Sequence, residues 1–177
     1  MRARLAFMFL HDSSGDWPNV SEESLLEQAD TWLLPYLDGV SSRQALNRLA
    51  PGQLLEHMLS WDQRQRLDQD APTHIVVPSG SRIPVHYENP EQPYLAVRLQ
   101  EVFGMLETPR IGSGKVPLTM HLLSPAQRPV QVTSDLSSFW RNGYFDVKKD
   151  LKGRYPKHYW PDQPLEAEAT RRTRPKT

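Results

Sequence analysis

The sequence predicts an α+β protein, in which a helical N-terminal segment packs on a compact, mainly antiparallel β domain that ends with a helix. Two observations lead to this prediction. Residues 1–70 place apolar side chains at helical spacing, whereas residues 73–133 hold short β-branched runs separated by Pro, Gly and Ser. The 16 prolines among 177 residues indicate that the individual elements are short.

The same patterns divide the chain into three parts. We predict a helical segment at residues 1–71, an antiparallel β domain with helices at residues 72–161, and a basic tail at residues 162–177. The tail holds Pro, Glu, Thr and Arg with little to bury, so it is predicted to be disordered.

Helix signals in the first part are local. Ser21 is followed by two glutamates, which favours an N-cap, and Pro35 is expected to end that helix. A third helix is expected to continue through Leu67, with Trp61 packed beside it. The predicted helices begin at Ser21, at Ser41 or Ser42, and at Pro51.

Strand signals follow in the second part. THIVV (73–77) and RIPVHY (82–87) flank the turn PSGS, and VPLTMHLL (116–123) and RPVQVT (128–133) flank SPAQ, so two antiparallel hairpins are predicted. YLAVRLQEVFG (94–104) fits either a strand at its start or a short helix. Two arrangements agree with these signals, a small OB-like barrel and a ββαββα sheet.

A final helix is predicted from residue 134. Ser134 is the expected cap, Gly153 the expected end, and apolar residues recur at intervals of three and four. The inward-facing residues of this predicted helix are Leu136, Trp140, Tyr144, Val147 and Leu151.

Composition excludes several classes of function. The chain has no cysteine, which excludes disulfides, zinc–thiolate sites and thiol catalysis and fits a reducing, cytoplasmic location. No apolar run approaches the roughly 20 residues that a membrane-spanning helix needs, so no membrane partner is expected. MRARLAFMFL resembles the start of a weak signal peptide, but the polar HDSSGDWP follows it, so no signal peptide is expected.

Sequence motifs for catalysis are missing. GSGK at 112–115 resembles part of a phosphate loop, but Pro109 stands where the first glycine is needed and Val116 where the magnesium-binding hydroxyl is needed. We therefore expect a turn between strands there, with Lys115 solvated. No two of the six histidines lie closer than 12 residues, so none form a helical metal pair. We predict no catalytic residue, no metal site and no cofactor in this chain; a hydrolase with a dispersed site would need a cleft with shifted titrating groups.

Charge is distributed unevenly along a chain whose net charge is zero. Residues 1–70 carry six basic and eleven acidic side chains, whereas residues 141–177 carry ten basic and five acidic. The basic part contains VKKDLKGRYPKHYWP (147–161), in which lysines and arginines alternate with aromatic residues. Lysines attract phosphates and exposed rings stack on unpaired bases, so this pattern is typical of single-stranded nucleic-acid binding.

The predicted nucleic-acid site combines this segment with basic residues of the β domain. A structural alternative is that the lysines form a solvated face, and that Tyr155 and Trp160, each beside a proline, pin the tail to the core. The predicted phosphate-binding residues are Arg110, Lys115, Arg128, Lys148, Lys149, Lys152, Arg154 and Lys157, and the predicted stacking residues are Tyr155, Tyr159 and Trp160.

Several long segments resemble a known family. APTHIVVPSGSRIPVHY, LAVRLQEVFGM, TPRIGSGKVPLTMHLLSPAQRPVQVTSDLSSFW and YFDVKKDLKGRYPKHYWP closely resemble the C-terminal region of HrpB-type ATP-dependent helicases, bacterial relatives of the DEAH-box RNA helicases. The upstream WPNVSEESLL and WLLPYLDGV are similar to the stretch before that region, so the resemblance covers nearly all of the chain.

The resemblance implies an accessory role. Helicases of this type have two RecA-like motor domains with a phosphate loop and a DEAH-type box, and this chain contains neither motif. ATP and Mg²⁺ are therefore expected to bind to the motor domains of a parent protein, and the chain itself is expected to be non-catalytic. The expected partners are RNA or another single-stranded nucleic acid and the helicase motor domains. The alternative is a protein-interaction module that docks the motor or another protein.

Overall fold

A computed structural model of the chain describes residues 1–175, and Lys176 and Thr177 at the end of the predicted tail lie outside the described residues. The chain divides into two compact units. Unit 1 comprises residues 1–72 and 87–91, and unit 2 comprises residues 73–86 and 92–177. Residues 87–91 belong to unit 1 because the Tyr87 hydroxyl donates to the Pro72 carbonyl (2.7 Å) and its ring packs on Phe7 (5.4 Å between centroids).

Unit 1 is helical, as the sequence predicts, and its helices are short. Ser21 Oγ accepts from the Ser24 amide and Ser42 Oγ from the Ala45 amide, which confirms both as N-caps. The helices are α1 (Arg2–His11), α2 (Glu22–Glu27), α3 (Ala29–Trp32), α4 (Arg43–Asn47), α5 (Pro51–His57) and α6 (Trp61–Asp70), with a 3₁₀ turn at Leu34–Tyr36.

The predicted third helix is in fact two helices. Ser60 accepts from the Gln63 amide while the Gln63 side chain accepts from the Ser60 amide. This capping box begins α6 as a separate helix. Trp61 then lies in the first turn of α6 with 69% of its surface exposed, so the prediction that it packs beside the helix was wrong.

The N-terminal apolar run is part of the core of unit 1. Helix α1 buries Leu5, Phe7 and Met8. The Arg4 guanidinium also donates to the carbonyl of Ala71 (2.6 Å), the C-cap of α6, and to the Leu67 carbonyl (3.1 Å), so it binds the C-terminal end of α6.

The strands of unit 2 are β1 (His74–Val76), β2 (Arg82–His86), β3 (Tyr94–Arg98), β4 (Arg110–Ile111), β5 (Val116–Pro117), β6 (Thr119–Leu123) and β7 (Pro129–Thr133). Five of them form an open sheet with the order β1-β2-β3-β6-β7. The pair β3–β6 is parallel and the other pairs are antiparallel. A separate hairpin, β4–β5, lies between β3 and β6 in sequence.

The sheet confirms the α+β class and both predicted hairpins, and it corrects two details. The described strands form an open sheet rather than an OB-like barrel, and the ββαββα alternative lacks strand β3. The ambiguous stretch is a strand at Tyr94–Arg98 followed by a 3₁₀ turn at Leu99–Glu101. Since β3 and β6 are joined by a long crossover, they can pair in parallel.

The terminal helix follows the predicted spacing and contains one irregular turn. It consists of α7 (Leu136–Ser138), a π-helical turn (Phe139–Gly143) and α8 (Tyr144–Arg154). Asp135, not Ser134, is the cap, because its carboxylate accepts from the Ser138 amide. Gly153 lies inside the last turn rather than after it.

Residues 162–175 follow a defined path in unit 2, which differs from the predicted disorder. The Gly104 amide donates to the Pro164 carbonyl (2.9 Å), and the Thr170 amide donates to the Gln100 carbonyl (3.0 Å). The Tyr159 amide donates to the Thr173 carbonyl (2.9 Å). Backbone hydrogen bonds hold this segment in place, and the amino-acid composition of the segment does not predict them.

Candidate nucleic-acid interface

The terminal helix presents the basic residues because its opposite side is deeply buried. Leu136, Tyr144 and Leu151 have no exposed surface, and the Tyr144 hydroxyl donates to the Pro161 carbonyl (2.7 Å). Burial raises the pKa of Tyr144 far above its usual value, so it stays a neutral donor. A Cβ at Gly143 in the π-helical turn would lie 3.0 Å from the Phe139 ring, so a larger residue there would require this ring to shift. The orientation of α8 is therefore fixed by packing.

The lysines of α8 have two different environments. Lys149 and Lys152 are exposed. The Lys148 side chain is only 13% exposed and forms an ion pair with Asp162. The hydrogen bond from Lys148, with the charge of Lys152 nearby, lowers the pKa of Asp162. Asp162 thus remains ionised and occupies Lys148, so the two exposed lysines have more freedom to meet a phosphate.

Phe145 is a surface aromatic residue that the sequence analysis missed. Its side chain is 51% exposed, and it lies four and seven residues before Lys149 and Lys152. Residues at these intervals share one face of a helix, so an exposed ring and two exposed ammonium groups form a single stripe. The signal in the sequence is this spacing of an aromatic residue and two lysines at intervals of four and seven residues.

The predicted stacking residues are mostly engaged within unit 2. Trp160 is 9% exposed and its indole N–H donates to the Tyr155 carbonyl (3.0 Å), so its ring belongs to the core. Tyr155 is half-buried, and its hydroxyl lies 3.5 Å from Ser124 Oγ. Tyr159 is 36% exposed, with its ring edge-on to Phe103. This geometry agrees with the structural alternative for Tyr155 and Trp160, and it leaves Tyr159 partly accessible.

The remaining basic residues lie on several elements. Arg154 pairs with Asp150 at 3.0 Å within α8, and the Lys157 carbonyl accepts from Arg174 Nε (3.3 Å), which adds a further arginine beside Lys157. Arg128 is exposed in the β6–β7 turn. The residues of α8 and Lys157 are therefore neighbours in sequence, whereas Arg110 and Lys115 belong to the β4–β5 hairpin and Arg128 to the β6–β7 turn.

The GSGK turn has the predicted hairpin structure. It connects β4 to β5, and Lys115 is exposed. Arg110 donates to the Gly114 carbonyl (2.7 Å) and the Lys115 carbonyl (2.9 Å), so its guanidinium holds the turn. A phosphate loop leads into a helix N-terminus, whereas this turn leads into a strand, so these residues do not fit a nucleotide.

Two further kinds of site are absent from residues 1–175. No group of three or more His, Asp or Glu side chains there is arranged to hold a metal ion. Within the same residues, no helix has both the length and the apolar character to cross a lipid bilayer.

Comparisons with known proteins agree with the resemblance found in the sequence. A family model described as ATP-dependent helicase C-terminal (HrpB_C) matches residues 32–164. The ATP-dependent RNA helicase HrpB of Escherichia coli (strain K12) is 52% identical over 159 residues, which cover 90% of this chain and 20% of that protein. The chain therefore spans about a fifth of the length of this curated relative.

Two solved structures share the fold. The crystal structure of the E. coli DExH-box NTPase HrpB superposes with a TM-score of 0.90 at 50% identity, covering 97% of this chain and 21% of that one. A crystal structure of the Escherichia coli DEAH/RHA helicase HrpB gives a TM-score of 0.74 at 48% identity, covering 90% of this chain and 20% of that one.

Proposed function

The chain belongs to the HrpB_C family, the C-terminal region of ATP-dependent helicases, and from this membership we propose that it is a non-catalytic accessory domain that binds single-stranded RNA. In this proposal ATP and Mg²⁺ bind to the motor domains of a parent helicase, and the C-terminal region holds the strand on which the motor acts. The relative in E. coli carries the name RNA helicase, which makes RNA the first nucleic acid to test.

The stripe of Phe145, Lys149 and Lys152 on α8 carries the proposal. The two exposed lysines supply salt-dependent attraction to phosphates, and the exposed ring offers a surface on which a base can stack. Tyr159 is partly exposed as well, and further basic residues follow α8 toward the end of the chain. Residues 141–177 carry an excess of five positive charges, which favours the binding of a negatively charged partner such as the phosphate backbone of RNA.

A salt titration tests the proposal. Fluorescence anisotropy of a short labelled single-stranded RNA is measured between about 50 and 200 mM salt, for the wild type and for Lys149→Glu/Lys152→Glu. We expect the variant to bind more weakly, with the slope of log affinity against log salt reduced by about 1.4, since each phosphate contact contributes about 0.7.

The control has the same change in net charge on another surface. Arg43→Glu/Arg48→Glu replaces two exposed arginines on and beside α4 in unit 1. We expect its affinity and salt slope to stay close to those of the wild type. Equal losses in both variants would mean that net charge alone governs binding, and a wild type that does not bind at low salt would refute RNA binding.

Residues 22–47 favour a second function, the docking of a protein surface such as the helicase motor. Leu26, Leu34 and Leu46 are about half exposed or more, although they lie in or next to helices. These three leucines lie close together in sequence, and a contiguous exposed apolar patch is typical of protein interfaces. The test is copurification with a separately produced motor region of an HrpB-type helicase, which Leu26→Ser/Leu46→Ser is expected to weaken without changing RNA affinity.

A further inference from the structure

Residues 170–174, near the end of the chain, fold back onto the segment that follows α8. The Tyr159 amide donates to the Thr173 carbonyl (2.9 Å), and Arg174 Nε donates to the Lys157 carbonyl (3.3 Å). Exposed basic residues from two segments of the chain therefore meet at these hydrogen bonds. We call these residues the tail patch, and they are Lys157, Arg171, Arg172 and Arg174.

Gln100 also holds the backbone of the tail patch. The Thr170 amide donates to the Gln100 carbonyl (3.0 Å), and Gln100 Nε2 donates to the Arg172 carbonyl (2.7 Å). Gln100 is only 2% exposed, so water competes little for these bonds. Thr170 is buried as well, and its Oγ1 accepts from the Arg172 amide (3.0 Å). The main chain that carries the arginines therefore has a defined path.

The charges of the tail patch are not neutralised by ion pairs within the part of the chain that the structure describes. Among residues 1–175, no Asp or Glu side chain forms an ion pair with any of the four residues. The acidic residues Glu166 and Glu168 precede the basic part of the tail in sequence. An arginine guanidinium can bind a phosphate through two parallel hydrogen bonds, so the chemistry of the patch fits a phosphate backbone.

We propose that the tail patch is a second phosphate-binding surface for single-stranded RNA, preorganised by the hydrogen bonds of the tail to Gln100 and Tyr159. The choice of RNA as the partner rests on the proposed function, in which the stripe on α8 is the first surface. A flexible basic arm loses conformational freedom when it binds, whereas a segment that is already held loses less. RNA affinity should therefore depend on the hydrogen bonds of the tail as well as on its charge.

The first variant tests the charge of the tail patch. A labelled single-stranded RNA is titrated with the purified 177-residue chain and with Arg171→Gln/Arg172→Gln/Arg174→Gln at several salt concentrations. We expect the slope of log affinity against log salt to fall by about 2, because three phosphate contacts of about 0.7 each are lost. Affinity at about 0.1 M salt is expected to fall at least about tenfold.

The charge control makes the same change on another surface. Arg43→Gln/Arg48→Gln/Arg64→Gln neutralises three exposed arginines of unit 1. We expect its affinity and its salt slope to match those of the wild type.

The second variant releases the tail without changing any charge. Gln100→Leu removes the donor to the Arg172 carbonyl, and Thr170→Pro removes the amide that donates to the Gln100 carbonyl. Gln100 Oε1 is buried without a hydrogen-bond partner among the described residues, so leucine at this position breaks no further side-chain bond. We expect Gln100→Leu/Thr170→Pro to bind RNA about tenfold more weakly, as for the loss of two net hydrogen bonds. Hydrogen exchange in residues 157–159 and 171–174 should be faster than in the wild type, and urea denaturation checks that unit 2 remains folded.

The possible results separate this inference from the function on which it rests. If Lys149→Glu/Lys152→Glu weakens RNA binding and the arginine variant does not, the inference is overturned while the proposed function stands. If the arginine variant and its control lose affinity equally, net charge alone governs binding and the tail patch is not a site. If the wild type does not bind RNA at low salt, both the inference and the proposed function fail.

The released tail decides whether preorganisation matters. If Gln100→Leu/Thr170→Pro exchanges faster and binds RNA as tightly as the wild type, the tail acts as a flexible arm and the preorganised surface is overturned. Exchange at the same rate in both proteins would show that Gln100 does not hold the tail, which also overturns the inference.

Discussion

The helices at residues 22–47 leave apolar side chains exposed, whereas the strands β3 and β6 bury theirs. Helices α2, α3 and α4 have no buried residue, and Leu26 is 77% exposed. In the strands, Leu95 and Met120 have no exposed surface, and alternate positions face outward. The strands therefore find their apolar environment within unit 2, whereas the helices leave apolar surface for a partner.

Charge sharpens the contrast. Residues 1–70 carry a net charge of −5 and residues 141–177 a net charge of +5. A negative surface repels phosphates, so RNA is expected to contact unit 2, and the exposed leucines of unit 1 are expected to meet protein. The neutral total conceals this division of charge, which our proposal assigns to nucleic acid on the positive side and to another polypeptide on the negative side.

The largest effect is expected in the core of unit 2. Tyr144→Ala removes a ring with no exposed surface and the hydroxyl that donates to the Pro161 carbonyl, so the free energy of unfolding should fall by about 4 kcal/mol. Urea denaturation measures the change, and hydrogen exchange by mass spectrometry locates it in peptides of unit 2. The control Tyr144→Phe keeps the ring and should lose about 1–2 kcal/mol. A loss below about 1 kcal/mol for Tyr144→Ala would show that this packing is not what holds the helix.

Local signals in the sequence predicted much of this unit. Leu136, Trp140, Tyr144 and Leu151 repeat at helical intervals, and all four are buried as expected. The SPAQ turn likewise predicted the β6–β7 hairpin. Such features depend on neighbours within a few residues, which is the range over which periodicity and turn chemistry operate.

Features set by distant contacts could not be predicted. The parallel pairing of β3 with β6 and the path of residues 162–175 depend on backbone hydrogen bonds between segments far apart in sequence. The candidate site has the same limit, because the lysines of α8 look equivalent in sequence until Asp162 is found beside Lys148. The sequence also predicts Trp160 as a stacking residue, because composition does not reveal that its indole N–H donates to the Tyr155 carbonyl and that its ring is buried.

A smaller effect is expected at an ion pair of unit 1. Asp12 accepts from the Trp17 indole N–H (2.6 Å) and pairs with Arg66. The hydrogen bond from Trp17, opposed by partial burial and assisted by Ser14 and Arg66, lowers the pKa of Asp12. Asp12→Asn removes the charge and should cost about 1.5 kcal/mol of unfolding free energy at pH 7.

The stability difference between wild type and Asp12→Asn depends on pH, because folding lowers the pKa of Asp12. Because the pKa is lower in the folded state, the contribution is complete above the unfolded value of about 3.9 and is lost as pH falls through the folded value. Wild type and Asp12→Asn should therefore converge in stability between about pH 5 and pH 2. A difference that stays constant over this range would mean that the carboxylate charge is not the stabilising feature.

The next effect is expected at the N-cap of α4 in unit 1. Helix α4 buries no residue, so we expect its N-cap to contribute a large part of its stability. In this cap, Ser42 Oγ accepts from the Ala45 amide at 3.1 Å. Ser42→Ala should cost about 1 kcal/mol, seen as faster hydrogen exchange in residues 43–47. Ser41→Ala, one residue earlier, is the matched control and should leave exchange unchanged. Unchanged exchange in Ser42→Ala would place the stability of α4 elsewhere.

The smallest effect is expected at Leu26. In a buried strand, replacing a leucine such as Leu122 by Ala should cost about 3 kcal/mol, because apolar surface and packing are lost. Leu26 has 77% of its surface exposed, so Leu26→Ser should change the free energy of unfolding by less than about 0.5 kcal/mol. Urea denaturation of the two variants gives the comparison directly. A loss near 2 kcal/mol at Leu26 would mean that this leucine already packs within the isolated chain and does not await a partner. A negligible loss combined with weaker copurification of the motor region would mean that the leucine contributes to docking rather than to folding.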